Sequence, residues 1–235
     1  MMVVDELWEQ SSKLSDNYSI EFYEKDIALV KNIFKYPELV LRFQKLLSTW
    51  ESAGSAKPGL MSLKMPAWTV FHIADGLFEW DYIYEEFESE YILFYDGNTT
   101  KWNDKPDNIV TNECYLPHTD DSECDGRTII GLVNLNPRIV KTGFWSYMGE
   151  MIPDSEMIDD YYEYASSATK ENYKDKINNG ILDHKFNIEY GFNDAIFYNS
   201  GILHQPHIDK FYTRENPRIM FRCSFILDED DDCDV

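Results

Sequence analysis

From Arg218 onward apolar and polar positions alternate cleanly. Ile219, Phe221, Cys223 and Phe225 fall on one side, and Arg218, Met220, Arg222 and Ser224 on the other. That two-residue period predicts a strand. Residues 127–136 (Arg-Thr-Ile-Ile-Gly-Leu-Val-Asn-Leu-Asn) are a nearly continuous apolar run bounded by Gly126 and Pro137, and residues 195–198 are a shorter one turned by Asn199-Ser200-Gly201. Both read as buried strands. Between about residues 24 and 50 the spacing changes to threes and fours: Ile27, Val30, Ile33 and Phe34, then Val40, Phe43, Leu46, Leu47 and Trp50. This predicts two helices, with Pro37 in the first turn of the second and Ala53-Gly54-Ser55 ending it. Residues 76–92 mix aromatics with acids and read as a half-buried cover over the core. Residues 96–107 read as a loop and residues 153–185 as a polar, Tyr-rich helical insertion between core strands.

Composition narrows the field. The 235 residues are 43% hydrophobic and 15% aromatic, enough for a sizeable core, and carry a net charge of −22. An acidic chain without a Lys/Arg cluster is a poor partner for nucleic acid, whose binding rests on cations that neutralise phosphates. A cationic or neutral small substrate, or a basic protein segment, suits it better. The longest apolar runs fall far short of the roughly 20 residues a spanning helix needs, and Met-Met-Val-Val-Asp-Glu lacks the form of a signal peptide. A cytoplasmic protein without a membrane partner is therefore expected. Cys114, Cys124, Cys223 and Cys233 show no zinc-ligand spacing and read as free thiols, Cys223 buried. Cys114 and Cys124 bracket the segment around residue 118, where a bridge is the alternative.

The candidate chemistry lies in three distant pieces: His118-Thr119-Asp120, His204, and Arg218. Two imidazoles and one carboxylate on one face of an ion, with the opposite positions open, form the facial triad of non-heme Fe(II) oxygenases. A hairpin from His118 into the 127–136 strand would put His118 and Asp120 on one strand face. Asp121 is the alternative to Asp120 and His207 the alternative to His204. His72 and His184 have no partner pattern. An Arg on the inward face of a strand is costly unless it meets an anion, and Arg222 shares the face of Arg218.

On these pieces the stretch from residue 118 to residue 226 resembles the 2-oxoglutarate/Fe(II)-dependent dioxygenase superfamily, particularly its prolyl-hydroxylase-like members. The matching residues are His118-Thr119-Asp120, Asn134-Leu135-Asn136, Thr142-Gly143-Phe144-Trp145, Ile202-Leu203-His204 and Arg218-Ile219. The resemblance implies a mainly β fold with flanking helices, the double-stranded β-helix or jelly-roll. It implies His118, Asp120 and His204 as ligands of Fe(II), Arg218 as partner of the distal carboxylate of 2-oxoglutarate, and ascorbate as supporting reductant. Asn134 stands where many relatives carry a tyrosine that helps hold 2-oxoglutarate, and Thr142-Gly143 replaces a Gly-Gly pair. The expected organisation is one domain over 1–235, with supporting helices in 1–60, the jelly-roll core in 108–227 and an acidic tail in 228–235. The expected substrate is a small molecule or a protein side chain. A cupin-like metal enzyme without 2-oxoglutarate and a non-catalytic jelly-roll interaction protein are the alternative functions.

Overall fold

The computed structural model describes residues 8–46, 51–52, 60–61, 84–94, 117–120, 128–167, 180–207 and 218–227. Its strands are β1 (Ser19–Glu24), β2 (Ile27–Lys31), β3 (Glu51–Ser52), β4 (Leu60–Met61), β5 (Tyr84–Phe94), β6 (Thr128–Asn134), β7 (Val140–Tyr147), β8 (Leu182–Tyr190), β9 (Ala195–Asn199), β10 (His204–His207) and β11 (Arg218–Leu227). Two of its helices, here α1 and α2, are Pro37–Leu46 and Ser155–Ser167, and residues 8–11 are also helical.

Two antiparallel sheets hold these strands. The large one runs β1-β2-β9-β6-β11-β5-β4-β3 and the small one β10-β7-β8. From β6 the chain passes to β7 and β8 in the small sheet, returns to β9, crosses to β10, and comes back as β11 between β6 and β5. His118 extends the small sheet by an antiparallel bridge to His204. This alternation of the chain between two facing sheets is the double-stranded β-helix, mainly β with flanking helices, as the sequence led us to expect.

Each face of the large sheet has its own core. Ala28, Val30, Ile129, Val133, Phe197, Phe221 and Phe225 point outward and are covered by Val40 and Phe43 of α1 and by Trp8. The Trp8 ring meets Phe43 and Phe221, each with ring centroids 5.3 Å apart. Ile27, Leu29, Ile130, Ile196 and Met220 point inward, against Val140, Phe144 and Ile188 of the small sheet. The alternation read from Arg218 onward is therefore right: Phe221 and Cys223 face the helix, and Met220 faces the roll.

The first expected helix is instead strand β2. Ile27-Ala28-Leu29-Val30 is buried at every position because its odd and even residues enter the two different cores. A strand covered on both faces loses its polar alternation, and a short apolar run can then match helical spacing by chance. The second expected helix is present as α1, with Pro37 at its first position, where the missing N–H costs nothing. The expected cover over residues 76–92 includes most of β5, which is a full partner of β11. Residues 96–107, the tail, His72, Cys114, Cys124 and Cys233 lie outside the described residues. The expected insertion at 153–185 holds α2, but from Leu182 it has already become β8.

Gly131 shows how tightly the outer core is closed. Its register neighbours are Phe197 on β9 and Cys223 on β11. A Cβ at this position would lie 2.5 Å from Cys223 Sγ and 2.7 Å from Phe197 Cε1. Gly131→Ala is expected to lower stability by about 1–3 kcal/mol, the cost of overpacking a closed core, seen as a lower urea midpoint at unchanged m-value. Burial also pushes the Cys223 thiol up to about 12, so this free cysteine is inert packing rather than a nucleophile.

Candidate metal centre

His204 opens β10 directly after the turn at residues 199–203. Its backbone exchanges two hydrogen bonds with His118: each N–H reaches the other's carbonyl at 2.9 Å. Two residues on, the Asp120 N–H donates to Ser200 O at 2.9 Å. The His118–Asp120 segment is thus laced to the His204 turn at both ends, and its side chains are delivered to the same place. This differs from the expected hairpin with β6, since the partner of His118 is the strand that carries the other histidine. Helix α2 adds a third tie, because the Tyr161 hydroxyl donates to Pro117 O.

One donor atom each from His118, Asp120 and His204 lie within 4.8 Å of one another. Asp120 Oδ2 stands 3.5 Å from His204 Nε2, and both side chains are almost wholly buried. The His118 and His204 rings stack obliquely with centroids 4.5 Å apart. Cis donors around an ion with bonds of about 2.1 Å stand about 3 Å apart, so a small inward movement would close the set on a cation. The His204 tautomer also suits a ligand. Nδ1 lies 3.0 Å from Ile202 O, and a proton held there leaves the Nε2 lone pair facing Asp120. Tyr198 of β9 reaches the same spot, with Oη 3.0 Å from Asp120 Oδ2 and 3.0 Å from His204 Nε2. Burial first, and then the Asp120 carboxylate, hold this phenol well above its ordinary pKa. It is a neutral hydrogen-bond donor.

His207 does not join this group. Its Nε2 is buried near Gly143, Asn187 Oδ1 and Trp145 Nε1, without a hydrogen-bond partner among the described residues. Burial, with Lys141, His184 and Arg218 nearby, lowers its pKa to about 4 and keeps the imidazole neutral. His184 is exposed and meets Asn187 Oδ1 at 3.1 Å. Asp121 lies outside the described residues.

A second polar group stands farther along the interior. Arg218, the first residue of β11, is 1% exposed. Its Nη2 donates to Tyr190 Oη at 3.0 Å, Nη1 to His207 O at 3.2 Å and Nε to Met220 Sδ at 3.3 Å. Tyr190 Oη in turn lies 3.1 Å from Thr142 Oγ1. In register, His204 faces Phe144 and Pro206 faces Thr142. The Arg218–Tyr190–Thr142 group is therefore two residues along the strand from His204, a step of about 7 Å. Arg222 is half-buried farther along β11, close enough to Tyr198 and Cys223 to favour their charged forms.

Asn134 has a different set of partners. Its Nδ2 donates to Arg138 O and Tyr190 O, and its Oδ1 accepts from the backbone N–H and the side-chain amide of Asn136. Asn136 continues the chain of bonds: its Nδ2 donates to Ile219 O and its Oδ1 accepts from Ile219 N–H. The Asn134-Leu135-Asn136 piece is a clip between the backbone of Tyr190 and that of Ile219, next to Arg218. Tyr190 escaped the sequence reading. The signal that could have found it is the inward alternation of Phe186, Ile188 and Tyr190, closed by Gly191.

No protein-family model and no curated protein sequence matches the chain. Among solved structures it is similar to the non-heme alpha ketoglutarate dependent epimerase SnoN from nogalamycin biosynthesis, with 15% identity and a TM-score of 0.50 over 87% of this chain and 80% of that one. The alpha ketoglutarate dependent carbocyclase SnoK of the same biosynthesis matches with 11% identity and a TM-score of 0.47, over 87% and 81%. HygX from Streptomyces hygroscopicus, solved with nickel, 2-oxoglutarate and hygromycin B bound, matches with 10% identity and a TM-score of 0.44, over 86% and 82%. At such identities the likeness to SnoN is one of fold. No helix among the described residues is long and apolar enough to cross a membrane.

Proposed function

We propose that this chain is an Fe(II)- and 2-oxoglutarate-dependent dioxygenase that oxidises a C–H bond of a small molecule or a protein side chain, hydroxylation being the expected outcome. The observation that carries the reading is the pairing, inside one roll, of the His118–Asp120–His204 donor set with the buried Arg218–Tyr190–Thr142 group one strand step away. The donor set fits a divalent iron, offering two neutral imidazoles and one carboxylate. With iron and 2-oxoglutarate bound, the centre would couple reduction of dioxygen to decarboxylation of the co-substrate, giving succinate and carbon dioxide. The protein's share is geometric and electrostatic. Arg218 offers a planar donor fork to the distal carboxylate, and the Tyr190 and Thr142 hydroxyls complete its hydrogen bonds. Asn134 serves this end indirectly, by fixing the strand that presents Tyr190. The apolar walls from Phe144, Ile188 and Met220 exclude water around them.

The fold likeness to SnoN, whose name states dependence on alpha ketoglutarate, supports this reading. So does Tyr190, because a phenol beside the buried guanidinium supplies from β8 what position 134 lacks. That arrangement favours 2-oxoglutarate over a cupin-like chemistry without it. Helix α2, tied to Pro117 through Tyr161 and packed against Tyr147 at 5.3 Å, is our candidate for shaping the substrate mouth.

The decisive assay is succinate formation with Fe(II), ascorbate and 2-oxoglutarate, compared with His118→Ala; equal turnover in the two would remove the proposal. Within the same assay, Tyr190→Phe deletes one hydroxyl shared by Arg218 and Thr142. KM for 2-oxoglutarate is expected to rise by about tenfold, the worth of one hydrogen bond to a charged group, while metal affinity holds.

A further inference from the structure

Tyr198 is a buried titratable side chain that touches the donor set without belonging to it. It sits on β9, inside the roll, fully shielded from solvent. Its ring is wedged between Phe144, edge-on at 5.8 Å, and the His204 imidazole at 4.6 Å. With the ring fixed, the hydroxyl is fixed too. It lies 3.0 Å from Asp120 Oδ2 and 3.0 Å from His204 Nε2, across a gap of 3.5 Å between those two atoms.

A phenol has one hydrogen to give. With His204 Nδ1 committed to Ile202 O, Asp120 Oδ2 and His204 Nε2 are both acceptors, and the Tyr198 hydroxyl can serve only one of them at a time. An ion on His204 Nε2 would take up that lone pair and leave the hydroxyl wholly to Asp120. The carboxylate would then be held by a donor on one side and the ion on the other, the usual arrangement of a ligating carboxylate and its supporting hydrogen bond.

We propose that Tyr198 is the positioning residue of this site: its hydroxyl orients the Asp120 carboxylate for the ion, and hands over the His204 lone pair when the ion arrives. This rests on the reading of His118, Asp120 and His204 as a metal seat, but not on any co-substrate or reaction. It also accounts for a buried phenol next to a carboxylate on a strand whose other inward residue, Ile196, is apolar.

The test is anaerobic titration of the metal-free protein with Co(II), with thermal unfolding of the same metal-free samples. Tyr198→Phe keeps every ring contact and removes the hydroxyl. It is expected to weaken Co(II) binding by about 10- to 100-fold, the usual effect of losing a supporting partner, while Tm of the metal-free protein moves by only a few degrees. A purely structural tyrosine would do the reverse, lowering Tm and leaving the Co(II) dissociation constant alone, and that result would overturn the proposal. So would a visible phenolate charge-transfer band on loading the wild type with Fe(III), absent from the Phe variant, since Tyr198 would then be a ligand itself. Tyr198→Met, smaller and flexible and without a donor, replaces the Phe variant if that one does not fold. A wild-type protein that takes up no Co(II) overturns the metal seat and this inference together. Tight wild-type binding with no succinate formation removes only the proposed reaction.

Discussion

Asp120→Ala is expected to abolish uptake of one Fe(II) or Co(II) per chain and to cut 2-oxoglutarate turnover by more than about a hundredfold, beyond the 10- to 100-fold that supporting residues usually cost. Asp120 is the only anion in the donor set. Two neutral imidazoles bring no charge to offset a dication held out of water, and the carboxylate supplies it. The fold should survive the change. What fixes the segment is backbone, the Asp120 N–H on Ser200 O and the paired bonds between His118 and His204, none of which needs the carboxylate. His207→Ala is the matched control, because that imidazole lies near Gly143 and Asn187 rather than with Asp120. It should leave metal uptake intact. Equilibrium dialysis of the three proteins against Co(II), with far-UV circular dichroism to verify folding, decides the matter. Full uptake by Asp120→Ala would mean that the ion sits elsewhere.

How much of this was legible in the chain depends on how local the signal was. β11 was readable because one face meets aromatic packing and the other the interior, so Ile219, Phe221 and Cys223 alternate with Arg218, Met220 and Arg222. β2 was not, since burial on both faces removes the alternation that marks a strand. The site shows the same divide. His118, Asp120 and His204 could be picked out by residue type and by the turn before His204. The bridge between His118 and His204 could not, because antiparallel pairing of segments some eighty-six residues apart (204 − 118) leaves no mark in either. Tyr190 and Tyr198 were missed for another reason. Each is one aromatic among sixteen tyrosines, and only the crossing of the two sheets aims the first at Arg218 and the second at Asp120. Asn134 was noticed as a departure, and its two carbonyl partners and the Asn136 link show what an amide does there that a phenol could not. It receives two hydrogen bonds and gives two.

Arg218→Ala tests the link between metal site and co-substrate. Arg218 is enclosed by Tyr190, Met220 and the His207 carbonyl, so the substitution removes a buried charge and opens a hole. Affinity for 2-oxoglutarate is expected to fall by about 30- to 1000-fold, corresponding to about 2–4 kcal/mol for losing one partner of a buried, hydrogen-bonded charge pair. Co(II) binding should stay within a fewfold of wild type, because the Arg218 group lies two residues along the strand from His204, a step of about 7 Å. Arg222→Ala offers the contrast. Arg222 lies farther along β11 than Arg218 and acts electrostatically on Tyr198 and Cys223, so its loss should change 2-oxoglutarate affinity much less. The readout is the visible metal-to-ligand charge-transfer band of the anaerobic Fe(II) protein, titrated with 2-oxoglutarate for both variants. If Arg222→Ala gives the large loss and Arg218→Ala the small one, the co-substrate lies two pleats farther along β11 than the Tyr190 hydroxyl implies. If neither variant moves the titration, the carboxylate is held by other groups and the buried Arg218 is a structural cation that joins β11 to β8.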